Sequence, residues 1–114
     1  MFFTAFEIGT RIAFRESMDF DIEMWKYATT VKRPAANPAI GHEHTPRAKA
    51  FLMGVDVEIN SHNLRNREIA FDKPAGVKRV LMLGDSLTFG WGVPADKTTS
   101  RLLQARLNKT GAGT

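Results

Sequence analysis

Ser86 lies in the stretch Gly84-Asp85-Ser86-Leu87-Thr88-Phe89-Gly90-Trp91-Gly92-Val93, directly behind the apolar run Val80-Leu81-Met82-Leu83. A serine hydroxyl becomes a useful nucleophile when a base removes its proton, and small neighbours let backbone N–H groups face a developing oxyanion. Glycines around a hydroxyl also suit a phosphate cradle or a plain tight turn, and spacing separates these readings. The Walker pattern needs two glycines five apart, then Lys and Ser or Thr. Here Gly84 and Gly90 are six apart and Trp91 follows. Gly90 and Gly92 open a dinucleotide fingerprint, but position 95 is Ala and the pair lies too far past the apolar run. The nucleophile-elbow pattern G-x-S-x-G fails at Thr88, which stands where its second glycine belongs.

Elements must bring these residues to one place. Val77 to Leu83, nearly continuous in apolar residues at its end, predicts a strand covered on both faces, as in a parallel sheet. A strand passing through a short loop into a helix would set Ser86 just beyond the strand's carboxyl end, where ligands gather in such sheets. Thr98 or Thr99 is positioned to cap the following helix, with Leu102, Leu103, Ala105 and Leu107 on its apolar side, through about Asn108, and Gly111 stops it.

Upstream, residues 17–33 predict a helix with Phe20, Met24, Tyr27, Ala28 and Val31 on one face. Asp19, Asp21 and Glu23 suit its start, Lys26, Lys32 and Arg33 its later part, and Pro34 its end. Trp25, off that face, is expected against a neighbouring element. Residues 34–47 read as a proline-rich loop. Phe51, Met53, Val55, Val57 and Ile59 alternate like a half-buried strand, with Gly54 marking a bulge or the turn of a hairpin. Asn63 is suited to a left-handed backbone, and 72–76 (Asp-Lys-Pro-Ala-Gly) to another turn. The first fourteen residues, MFFTAFEIGTRIAF, read as a short amphipathic helix, or as the inner end of a longer one. They lack the regions of a signal peptide.

One pattern fits the chemistry-bearing stretch. Gly84, Asp85, Ser86, Thr88, Gly90, Gly92 and Val93 resemble the first sequence block of the SGNH hydrolases, also called GDSL esterases. The flanks EINSHNLRNRE and KPAGVKRVLMLGDS, with DIEMWKYA and GHEHTP further upstream, look like a bacterial subgroup of that family. That subgroup's usual wording is closer to N-S-x-G-L-R, so Asn63 replaces a glycine. The resemblance covers most of residues 19–108. It implies a flavodoxin-like α/β/α sandwich that hydrolyses esters without a cofactor, Ser86 serving as nucleophile and its N–H as one oxyanion donor. Asp85 would shape the turn. Exported or membrane-anchored relatives are common in such a family, an anchor here requiring a segment upstream of this chain.

The family also needs a later glycine and asparagine for the oxyanion hole, and an aspartate three residues ahead of a histidine near its C-terminus. His42, His44 and His62 all precede Ser86, and the residues three places before them are Ala39, Gly41 and Ile59. The chain is therefore expected to be an N-terminal portion of a longer enzyme, inactive alone. Residues 1–76 would be an N-terminal extension with a strand or hairpin at about 48–59, and 77–114 the incomplete start of the hydrolase domain. The competing expectation is a noncatalytic module that keeps the loop to hold a small ligand or a partner.

Other residues admit plainer roles. His42 and His44 flanking Glu43 could bind a metal, although histidines in a proline-rich loop are more often exposed. His62 suits local turn bonding, Arg65 a structural salt bridge or an anionic substrate, and Trp91 either a pocket mouth or packing beneath the loop. The 114 residues carry a net charge of +4, with basic residues scattered rather than striped, which argues against nucleic acid as partner. No cysteine is present, so disulfides and thiolate chemistry are excluded. Apolar surface left uncovered on 80–83 and on the last helix is expected to favour self-association.

Overall fold

The computed structural model describes residues 2–13 and 19–111 and shows a mixed α/β chain. Its elements are α1 (Phe2–Ala13), α2 (Phe20–Thr30), β1 (Lys32–Pro34), β2 (His42–His44), β3 (Lys49–Leu52), β4 (Val55–Glu58), α3 (Ser86–Phe89), a 3-10 turn (Ala95–Lys97) and α4 (Thr99–Lys109). β1 pairs antiparallel with β2, and β3 antiparallel with β4.

The Asp19 carboxylate starts α2 by accepting the N–H groups of Asp21 and Ile22 at 2.9 and 3.3 Å. Residues 17 and 18 of the expected helix lie outside the described residues. The helix ends at Thr30 rather than residue 33, because Lys32–Pro34 pair with His44, Glu43 and His42 as a short ladder. The expected loop 34–47 thus contains a strand; Arg33 binds Glu43 at 2.7 Å across the pair. The inward face of α2 also differs. Glu23, Tyr27 and Val31, four residues apart, are buried, whereas Phe20 and Trp25 stay exposed. Trp25, expected against a neighbouring element, is 68% exposed. Glu23 can be buried because its carboxylate accepts the Met53 N–H at 2.7 Å and Lys26 Nζ at 2.6 Å.

The alternating run around Gly54 is a hairpin. Met53 and Gly54 both have positive φ, 50° and 75°, the requirement of a two-residue type I′ turn. Reversal at this turn changes which residues share a face. Leu52 pairs with Val55 and Ala50 with Val57, so Leu52 and Val57 are buried while Phe51, opposite Asp56, is exposed. Tyr27, Val31, Leu52, Val57 and Ile59 form the core, with Phe89 and Trp91 packed against it.

Val77–Leu83 forms no strand. A strand exists through ladder hydrogen bonds, and no described strand pairs with this segment. Instead Arg79 reaches back to the carbonyls of Phe71 and Ala70 at 2.8 and 2.9 Å. Leu83 is 85% exposed, and Val80 and Leu81 are similarly bare. Downstream, Thr98 is the N-cap of α4, with its hydroxyl turned back to the Ala95 carbonyl, and Gly111 has left-handed φ just past the helix end.

Candidate active site around Ser86

Asp85 has an extended backbone, and its carboxylate accepts the Leu87 N–H at 2.9 Å, which starts the single helical turn α3. Ser86 is the first residue of that turn and is exposed. Among the described residues neither its hydroxyl nor its N–H has a hydrogen-bond partner. Both groups are free to face a substrate. Gly84 sits against the same turn: a Cβ there would lie 2.1 Å from Thr88 Oγ1 and 2.8 Å from Thr88 Cβ, so any side chain displaces Thr88.

The turn closes at Gly90, whose φ of 80° a glycine adopts at little cost. The Ser86 carbonyl accepts two N–H groups, from Gly90 and Trp91, each at 3.0 Å. Residues 89–91 then dive onto the core. Phe89 stacks on His44 with ring centroids 5.2 Å apart, and Trp91 meets Tyr27 edge-on at 4.9 Å. Trp91 thus packs under the loop, the plainer of its two expected roles.

His44 is half-buried rather than exposed. Its Nδ1 lies 3.1 Å from the Asn63 carbonyl, which can only accept, so Nδ1 carries the proton. Nε2 accepts from the Tyr27 hydroxyl at 2.7 Å. Burial lowers the His44 pKa and raises that of Tyr27. His42 stays exposed, 2.8 Å from Lys32 Nζ, and His62 makes the local bonds expected of it, to Asn60 Oδ1 and the Ile69 carbonyl. No described histidine bonds to Ser86. Among the described residues no three His, Cys, Asp or Glu side chains converge as metal ligands.

Arg65 departs most from expectation. No described carboxylate pairs with it. Its Nη1 donates to the carbonyls of Phe89, at 3.0 Å, and Gly90, and its Nη2 to the Val93 carbonyl at 2.7 Å. The guanidinium also lies over the Phe89 ring, 5.2 Å from its centroid. Desolvation in this seat lowers the Arg65 pKa.

Asn60 delivers that arginine and was not singled out by its type. It is 4% exposed, its Oδ1 accepts the His62 and Leu64 N–H groups, and its Nδ2 donates to the Arg67 carbonyl at 3.2 Å. Asn63 follows with the left-handed φ expected of it, 63°. An asparagine just past a strand and three residues before such a left-handed position is the signal that could have found it. Two shallow surface depressions lie on the β3–β4 hairpin and along α4, and Ser86 lines neither. Set beside known proteins, the chain matches no family model, no curated protein and no solved structure.

Proposed function

We propose that this chain is the N-terminal part of an SGNH-type serine esterase in which Ser86 attacks an acyl or acetyl ester, sugar esters included. The reading rests on the block Gly84–Val93. Its support in the fold is that Ser86 is exposed at the turn and its hydroxyl and N–H have no partner among the described residues. In this reaction Oγ bonds to the ester carbon while a histidine takes its proton, and the Ser86 N–H steadies the oxyanion. Collapse expels the alcohol, and water then releases the acid from the acyl-enzyme. The Asp85 carboxylate, engaged at the Leu87 N–H, orients the turn and is not the triad acid. The triad Asp and His come from polypeptide outside these residues.

The flavodoxin-like sandwich belongs to the same proposal. Residues 77–83 would supply its first strand, with 1–76 as an extension. What supports it is the row of bare apolar side chains on a segment without a ladder partner among the described residues.

The test is p-nitrophenyl acetate turnover by the polypeptide encoded by the whole gene. Ser86→Ala is expected to lower kcat by about 10⁴-fold or more. In the 114 residues alone the same substitution is expected to leave turnover unchanged. Equal rates in the whole polypeptide, or a coding sequence with no Asp-x-x-His, favour the noncatalytic binding module instead.

A further inference from the structure

The seat of Arg65 carries a second inference, which rests on the esterase reading above. Two consecutive peptide units link the guanidinium to the backbone of Ser86. The Phe89–Gly90 unit accepts from Arg65 Nη1 at its carbonyl, 3.0 Å away, and donates its N–H to the Ser86 carbonyl at 3.0 Å. The Gly90–Trp91 unit repeats the arrangement: its carbonyl accepts from the same Nη1, and its N–H reaches the Ser86 carbonyl at 3.0 Å. Each unit is polarised at its oxygen by a cation, which strengthens the bond at its other end.

The remaining contacts lock the guanidinium in place. Nη2 holds Val93, the ring of Phe89 lies beneath, and no described carboxylate draws the cation aside. The loop that presents Arg65 is organised by buried Asn60. Phe89 itself is packed among Tyr27 and His44 of the preceding residues. Residues 20–65 therefore touch the turn that carries Ser86 through Tyr27, His44 and Arg65.

We propose that Arg65 is a positioning residue for Ser86: it clamps the 89–93 turn, and through two peptide units fixes the Ser86 carbonyl and hence the direction of its neighbouring N–H and Oγ. The N-terminal extension is then a built-in platform for the nucleophile, not a detached appendage. Lysine cannot replace the arginine, because a compact ammonium lacks the planar fork that spans the carbonyls of Phe89, Gly90 and Val93 together.

Two measurements test this. In the whole-gene polypeptide, Arg65→Lys is expected to lower kcat for p-nitrophenyl acetate about 100-fold, the scale of a small misplacement of a reacting group, with KM nearly unchanged. An unchanged kcat in Arg65→Lys, where Ser86→Ala abolishes turnover, overturns the positioning role and leaves the esterase reading standing. Turnover that survives Ser86→Ala overturns the esterase reading and the catalytic role of Arg65 with it. The second measurement needs no variant. In the wild-type protein the amides of Gly90 and Trp91 are expected to exchange with deuterium as slowly as that of Ile59 in the core. Exchange at the rate of open loop amides overturns the clamp.

Discussion

Gly90 illustrates how single positions in this chain are constrained from two sides. Its φ of 80° excludes most side chains, and a Cβ would lie 2.7 Å from Thr98 Cγ2 and 3.2 Å from Arg65 Nη1. Gly90→Ala is expected to cost about 1–3 kcal/mol through backbone strain, with further loss from the displaced Thr98, read as a lower urea midpoint. Asn60 is constrained by its bonds. Asn60→Ala strands the Leu64 and His62 N–H groups, and a loss of about 2 kcal/mol is expected, along with faster exchange at Gly90 as Arg65 loosens. Neither position touches the Ser86 hydroxyl, yet both bear on the turn that carries it.

At the scale of elements, α2 is tied to the hairpin and to the 89–91 turn by polar groups set within apolar packing. Glu23 joins the helix to the Met53 N–H, and His44 is held between Tyr27 and the Asn63 carbonyl. Both have lowered pKa values, His44 chiefly through burial and Glu23 chiefly through its bond to Lys26. The sign is the same for both. Where the folded pKa lies below the unfolded one, the unfolded chain binds protons first as pH falls, so acid destabilises. Stability is expected to be full above about pH 6.5 and to decline below it as His44 must charge. A second decline is expected below about pH 4.5, where Glu23 loses its charge. Urea midpoints between pH 7.5 and 5 check the first step. His44→Gln should flatten it, and an unaltered slope in that variant would assign the acid sensitivity elsewhere.

The whole molecule is open. Its radius of gyration is 18.9 Å and its extents are 70 × 37 × 20 Å. A compact domain of about 100 residues has a radius near 13 Å. Phe3, Phe6 and Ile12 on α1, Val80, Leu81 and Leu83 in the 77–83 segment, and Leu102 on α4 are all more than half exposed. So much bare apolar surface gives a small core and a drive to associate. The 114 residues are expected to melt broadly and to sediment faster as concentration rises. Leu81→Lys with Leu83→Lys should reduce that association, and a sharp melt of a dilute monomer would contradict the expectation.

Features set by neighbours in the chain could be read from residue types alone. The hairpin turn at Gly54, one of its two readings, Asn63 with positive φ, and α4 between Thr98 and Gly111 all depend on local backbone preference, which a few side chains settle. Contacts across the chain were decided by the tertiary structure. The apolar run 77–83 has the composition of a buried strand, but a ladder needs a partner that composition does not supply. Arg65 has the charge for a carboxylate, and the fold turns it onto three carbonyls of the Ser86 loop. His44 sits in a loop-like sequence and is half-buried because β1 and β2 pair and bring it under Phe89. The residue types marked the Gly84–Val93 turn; the packing of distant residues decided what it rests on.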